Sequence, residues 1–160
     1  MKKTFLFLSI FFLSFLTHAQ QITRLTQSEI KANETPQAVA YNFVHSIVVK
    51  DYTTMAKLCT SEFYAELNKW AESEGVALSK LFTSQYMHDV VGMRPVIASG
   101  YSIVITDQWK LDPYNGQPAY SVSFNCADAN NNLYDEGEYD TTTRVLLVKK
   151  DGQWKVYRFK

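Results

Sequence analysis

The sequence is short of the residues that staple or punctuate small folds. It holds 2 cysteines, 4 prolines and 6 glycines in 160 residues. Structural zinc sites use about four protein ligands, so a cysteine pair does not make one. The scattered glycines exclude a phosphate-cradling glycine loop. They also leave no Pro- or Gly-rich linker, so one domain is expected. Neither charge is in excess, with 16 basic and 16 acidic residues. A nucleic-acid partner would favour a basic stripe, and none is present. No polyanionic or membrane-surface partner is implied either. No Ser-His-Asp or Cys-His order stands in a known context, and no internal repeat is visible. No cofactor and no metal are expected.

What the chain does have begins at its N-terminus. Met1-Lys2-Lys3 is a short basic segment, and residues 5–16 are apolar except for Ser9 and Ser14. Thr17-His18-Ala19 then supplies small residues at the −3 and −1 positions of a peptidase site. This order predicts a secretory signal peptide over residues 1–19. The apolar run is well short of the roughly 20 residues a membrane-spanning helix needs. No Cys lies near the cleavage point, which argues against a lipoprotein anchor. The mature chain should start at Gln20 and work in the periplasm or outside the cell, with no membrane contact after cleavage.

Removing the first 19 of 160 residues leaves 141, an ordinary size for one domain. Loss of Lys2 and Lys3 leaves 14 basic against 16 acidic residues, a net charge of −2. His18 also goes, leaving His45 and His88 without ligand-type spacing. In an exported chain Cys59 and Cys126 can form a disulfide. Both fall on apolar faces, so two buried thiols are the alternative.

Residues 20–33 are polar and unpatterned, and are expected to be a flexible tail before a single domain over 34–160. Thr35-Pro36 is a helix start, a hydroxyl cap with Pro at the first helical position. Ala40, Phe43, Val44, Ile47 and Val48 then repeat with helical spacing. Asp51 can cap a short second helix carrying Tyr52, Met55, Ala56 and Cys59 on one face. Thr60 or Ser61 starts a third, with Phe63, Leu67, Trp70 and Ala71 in line and Gly75 as its stop. A fourth helical stretch from Leu78 is expected to fade before Gly92 and Pro95. From about residue 97 the period changes to two, as in half-buried strands. Tyr101, Ile103, Ile105, Trp109 and Leu111 alternate with polar residues, and Tyr120, Val122, Phe124 and Cys126 form the next apolar face. A long strand is expected from about Tyr134 to Lys149. Asp151-Gly152 is a two-residue hairpin turn that pairs Lys150 with Gln153, Lys149 with Trp154 and Leu147 with Val156. The predicted fold class is α+β, N-terminal helices packed on a curved antiparallel sheet of about four strands.

Helices followed by such a sheet resemble the nuclear-transport-factor-two-like, cystatin-like α+β cone. The resemblance is carried by Thr35-Pro36-Gln37-Ala38-Val39-Ala40-Tyr41-Asn42-Phe43 and by the following stretches from Asp51 to Leu58 and from Thr60 to Phe63. At the far end it is carried by the hairpin from Leu146 to Val156. It covers most of the mature chain and is a pattern of elements, not a functional motif. With its opening segment, the whole resembles small exported domains of unknown function common in Bacteroidetes-type bacteria. The superfamily includes isomerases, cyclases, dehydratases, association domains and non-enzymatic binders, so the resemblance implies a fold and leaves function open.

Asp107 shares strand parity with Ile105 and Trp109, so a regular strand points it at the apolar face. A carboxylate in a dry cone would titrate high and could serve as general base or acid. A β-bulge near Asp107 would instead turn it to water. Tyr101, Trp109, Tyr139, Thr141 and Thr143 share the predicted inner faces and could line a ligand pocket with Asp107. His88-Asp89 could form a polar pair, although helix neighbours do not face each other. His45 lies opposite the buried face of its helix. Asp128, Asn130 and Asn132 occupy the first three ligand positions of a calcium loop. Leu133 and Tyr139 stand where that loop needs Gly and Glu, so a hairpin connection is expected. The function expected from these residues is a non-catalytic ligand-binding or protein-interaction module. Its partner would be a small apolar ligand, another protein or a second copy docked through the sheet. The alternative is a small lyase or isomerase with Asp107 as its base.

Overall fold

The computed structural model describes residues 22–81, 88–135 and 141–160, and the expected signal peptide and Tyr139 lie outside them. Six helices precede four strands among the described residues. The helices are α1 (Gln27–Ala32), α2 (Pro36–Val48), α3 (Tyr52–Leu58), α4 (Ser61–Ser73), α5 (Leu78–Leu81) and α6 (His88–Ala98). The strands are β1 (Ser102–Tyr114), β2 (Gln117–Ala127), β3 (Thr143–Lys150) and β4 (Gln153–Phe159). They pair in the order β1-β2-β3-β4, every pair antiparallel. The protein is therefore an α+β fold, helices on a curved antiparallel sheet.

The helix starts form as their side chains dictate. The Thr35 hydroxyl accepts from the Ala38 N–H with Pro36 next in line, Asp51 accepts from Thr54, and Thr60 accepts from Phe63. Each satisfies an N–H that the first helical turn leaves open. Asp151 and Gly152 both take positive φ, 51° and 79°, the backbone of a type I′ turn. The expected pairs Lys150–Gln153, Lys149–Trp154 and Leu147–Val156 all form.

The apolar face of α2 is the centre of the core. Phe43, Val44 and Ile47 meet Val90 and Met93 of α6 and Val122, Phe124, Val145, Leu147 and Val156 of the sheet. Phe43, Phe63 and Phe159 bring their rings together at 5.7–6.5 Å between centroids. Both sheet edges are partly occupied, which blunts edge-to-edge pairing. Thr23 exchanges N–H···O bonds of 2.9 and 3.0 Å with Ile105 on β1. On β4, Cys59 bridges Val156, and the Thr60 N–H donates to the Val156 carbonyl at 2.8 Å.

Four expectations need correction. Residues 22–33 are not a loose tail. Thr26 and Glu29 form a reciprocal capping box that starts α1, and Thr23 is in the sheet. The expected fourth stretch is described as α5, to Leu81, and a helix that was not expected, α6, runs through Gly92 and Pro95 to Ala98. Pro95 sits on its exposed side, where a carbonyl left without its N–H partner can meet water. The last long strand starts at Thr143, while Leu133 makes only an isolated bridge to Ala127.

The fourth decides which residues face the core: Trp109 and Leu111 leave the expected apolar face, while Asp107 follows the expected alternative, a β-bulge that turns it to water. Ile105 pairs with Phe124, but Asp107 pairs with Ser123, so Thr106 is an extra residue in β1. Residues opposite one another share a face. Past this bulge Asp107, Trp109 and Leu111 join Ser123, Ser121 and Ala119 on the outer face. Gln108 and Lys110 lie on the helix side instead, still exposed, and the Gln37 side-chain amide of α2 donates to Gln108 Oε1 at 2.6 Å.

Candidate functional site

Among the described residues, Tyr101, Asp107, Trp109, Thr141 and Thr143 do not line one pocket. Asp107 is exposed, and its carboxylate accepts from the Gln108 N–H at 2.8 Å. It is a solvated carboxylate rather than the desolvated base a dry cone would create. Trp109 lies on the outer face with the Arg144 guanidinium 4.8 Å above its ring. Tyr101 packs edge-on against Tyr134, centroids 5.5 Å apart. Thr141 and Thr143 are buried, but their hydroxyls are already used. Thr141 donates to the Asn125 side-chain oxygen, and Thr143 donates to the Lys160 carbonyl at 3.1 Å. The concave face itself is filled by Phe43, Met93, Val122 and Phe124, all fully buried.

The cysteines are both free and buried. Cys59 lies level with Val156, which pairs with Leu147 and through it with Tyr120. Cys126 is six positions further along β2, about 20 Å at strand spacing. A disulfide requires Cα atoms within about 7 Å, so the fold forbids this bridge. The Cys59 thiol donates to the Met55 carbonyl at 3.3 Å, and burial pushes both thiols up to about 12.

Asp128 is spent on its own turn. Its carboxylate accepts from the Asn130 and Asn132 N–H groups at 2.8 Å and from the Asn132 amide at 2.9 Å. Those bonds hold the carboxyl below its usual range, the Asn132 side chain contributing most. Arg24 clamps the loop from outside, donating to the Asp128 carbonyl at 2.6 Å and to the Asn131 side-chain oxygen at 3.1 Å. His45 is exposed and stacks on Tyr41 at 5.9 Å. His88 and Asp89 open α6, and their side chains lie outside what is described.

A site that the sequence did not point to lies on the outer side of the hairpin ends. A cleft of about 610 Å³ opens between the first turns of α4 and the tips of the β1–β2 and β3–β4 hairpins. That is within the span of roughly 300–1,000 Å³ typical of small-molecule pockets. One wall is a pair of tyrosines. The Tyr114 and Tyr157 rings stack with centroids 4.2 Å apart and planes 19° from parallel. Tyr114 is 44% exposed, unusual for a large aromatic side chain here. Burial pushes the Tyr157 phenol up, and neighbouring Tyr114 adds to the shift, so Tyr157 stays neutral at physiological pH.

The opposite wall is α4. Glu62 accepts from the Lys150 ammonium at 3.0 Å. Its carboxyl is held at about 2 by its own N–H in the first helical turn, then by Lys150 and Ser61. Both partners are exposed, so solvent screens the pair and it adds little to stability. Its effect is to fix Lys150 against the helix. Glu66 stands one turn further along the same wall, and Asp151 and Gln117 lie on the rim. Phe63 and Val148 form the apolar floor. Among the described residues no His, Cys or Ser lines the cleft. The arrangement suits recognition: aromatic faces, fixed charges and amide groups around an apolar base.

Tyr114 belongs to the turn cluster Asp112–Gly116, and Tyr157 follows the Asp151-Gly152 turn. Each is visible in the sequence, but only the sheet's curl brings them together. No protein-family model matches the chain, and no curated protein matches it.

Proposed function

We propose that this protein is an exported, non-catalytic binding module built on a nuclear-transport-factor-two-like scaffold, with the cleft beside Tyr114 and Tyr157 as its ligand seat. The observation that carries the reading is the cleft: a stacked aromatic pair, half open to solvent, beside the carboxylates of Glu62 and Glu66 over an apolar floor. Tyrosine presents a large, rigid contact surface at little entropic cost, as binding surfaces do. Export rests on the basic, apolar and small-residue order of residues 1–19.

Native mass spectrometry of protein recovered from the periplasm or medium of producing cells tests both halves. The expected mass starts at Gln20 and carries a retained small molecule or a partner, which Tyr114→Ala and Tyr157→Ala release. A full-length mass in the cell interior would remove export. A bare monomer, from extracts of every growth condition tried, would remove the binding reading.

A further inference from the structure

The cleft also carries a statement about the charge of its ligand, which rests on the binding reading above. Glu62 and Glu66 are four residues apart on α4, so their carboxylates share one helix face. Like charges at this spacing work against a helix. Glu62 has a structural return, because it lies in the first turn and meets Lys150. Glu66 has neither. It lies beyond the first turn, where the helix dipole no longer favours a negative charge. It makes no ion pair among the described residues. Asp151 adds a further carboxylate at the rim. Tyr114 and Tyr157 line the same cleft; stacked on each other, they offer a cation only an outer ring face, which carries the negative side of the ring quadrupole. Lys150, the only cation lining the cleft, is already bonded to Glu62. The volume of about 610 Å³ suits a small molecule rather than a protein surface.

We propose that the cleft binds a small organic cation, an ammonium compound seated between an outer face of the Tyr114–Tyr157 stack and the Glu66 carboxylate. A cation placed within about 6 Å of a ring centroid is attracted by the ring face. The same cation would relieve the repulsion between Glu66 and Glu62. Lys150 forms one side of the seat and keeps Glu62 from closing over it.

The test is titration of the mature chain, Gln20 to Lys160, with choline and with spermidine, followed by amide chemical shifts. Maltose and a blocked tri-lysine peptide serve as the neutral and peptide comparators. Choline or spermidine should shift amides of α4 and of both hairpin tips, with affinity falling as salt is raised. Glu66→Gln and Tyr114→Ala should each weaken binding about fivefold, the effect of removing one exposed charge or ring contact. Tyr114→Phe should bind as the parent does, because it keeps the ring face. Both positions are exposed, and dispersed amide spectra will confirm that the variants fold. If maltose alone shifts the cleft amides, the cation assignment is overturned while the binding reading stands. If only the tri-lysine peptide does so, the small-molecule assignment is overturned in favour of a basic peptide. If no probe moves the cleft amides of the folded chain, the cation assignment fails outright, and native mass spectrometry still decides whether anything binds.

Discussion

Tyr114 and Tyr157 stack at 4.2 Å although they belong to β1 and β4, the two opposite edges of the sheet. A flat four-stranded sheet would hold its edge strands about 14 Å apart. The β1–β2 hairpin must therefore curl across the outer face. Register shifts at Thr106 and between Leu111 and Tyr114 give β1 that freedom, because bulges increase local twist. The stack should contribute about 1 kcal/mol beyond area burial. A double-mutant cycle with Tyr114→Ala and Tyr157→Ala, read by urea unfolding, should show coupling of that size. Strict additivity would mean the rings are adjacent without supporting each other.

Arg94 should matter more for stability than any other surface-reaching cation described. Its guanidinium donates to the Ile47 carbonyl at 2.6 Å and the Val48 carbonyl at 2.9 Å, at the C-terminal end of α2. These carbonyls lie in the last turn, where N–H partners run short, although Ile47 also accepts from the Lys50 N–H at 3.1 Å, and a cation there favours the helix dipole. Arg94→Ala should cost about 2–3 kcal/mol in urea unfolding. Arg94→Lys should recover less than half, since one ammonium does not reproduce the two-pronged geometry. A loss within about 0.5 kcal/mol would place Arg94 among ordinary surface residues.

The acid side of the stability profile follows from carboxyls held low. Glu62 falls from 4.5 to about 2, and Glu29, Asp51 and Asp128 are also lowered by hydrogen bonds to their own caps and turns. A carboxyl whose folded pKa lies below its unfolded one stabilises the fold above the unfolded value. That contribution is lost as pH falls through the folded value. Melting temperature should therefore decline from about pH 4.5 towards pH 2. Glu62→Gln should flatten the decline, most visibly in its lower half. An unchanged slope in that variant would show that Lys150 and the helix turn do not hold Glu62 as described.

The thiols give a prediction of opposite sign. Cys59 and Cys126 move from 9.0 to about 12 through burial, so their contribution is intact below pH 9 and is lost as pH rises towards 12. At pH 8 both should resist iodoacetamide in the native protein and react fully in denaturant. The intact mass of the protein purified without reductant should retain both thiol hydrogens. A mass lower by two hydrogens would contradict the separation of Cys59 and Cys126 across the sheet.

What could be read from the sequence was local. Thr35-Pro36, Asp51 and Thr60 set helix starts through bonds that span three residues, and Asp151-Gly152 sets its hairpin register through two positive φ angles. Thr26 and Glu29 were equally legible, since their spacing is a capping box, yet the polar composition around them concealed α1. Pro95 misled in the other direction, because helix breaking depends on whether the freed carbonyl is exposed. No glycine announces the bulge at Thr106, but Asp107 interrupts the apolar alternation from Tyr101 to Leu111, and the bulge expected as the alternative to a regular strand is what forms. That single extra residue moved Asp107 and Trp109 to the outer face and dissolved the expected pocket. The cleft was illegible for a related reason, since Tyr114, Tyr157 and Glu66 meet only through tertiary curl.

The bulge makes a prediction that runs against intuition. Deleting a residue from a strand normally flips every following side chain to the other face. Deleting Thr106 should not. Ile105 would still pair with Phe124, and Asp107, now its neighbour, would still pair with Ser123. Trp109 would stay opposite Ser121, and Gln108 would stay within reach of Gln37. The loss should be confined to the extra twist, at a cost of about 1–2 kcal/mol, and to the approach of Tyr114 to Tyr157. Deleting Val122 from the bulge-free middle of β2 should instead turn Phe124 and Cys126 away from the core and unfold the chain. Amide spectra of the two deletions decide the matter. The first should be dispersed, with cross-strand contacts between residues 105 and 124 and between 107 and 123, and the second collapsed. If the Thr106 deletion unfolds as readily as the Val122 deletion, the register of β1 is wrong, and with it the outward placement of Asp107.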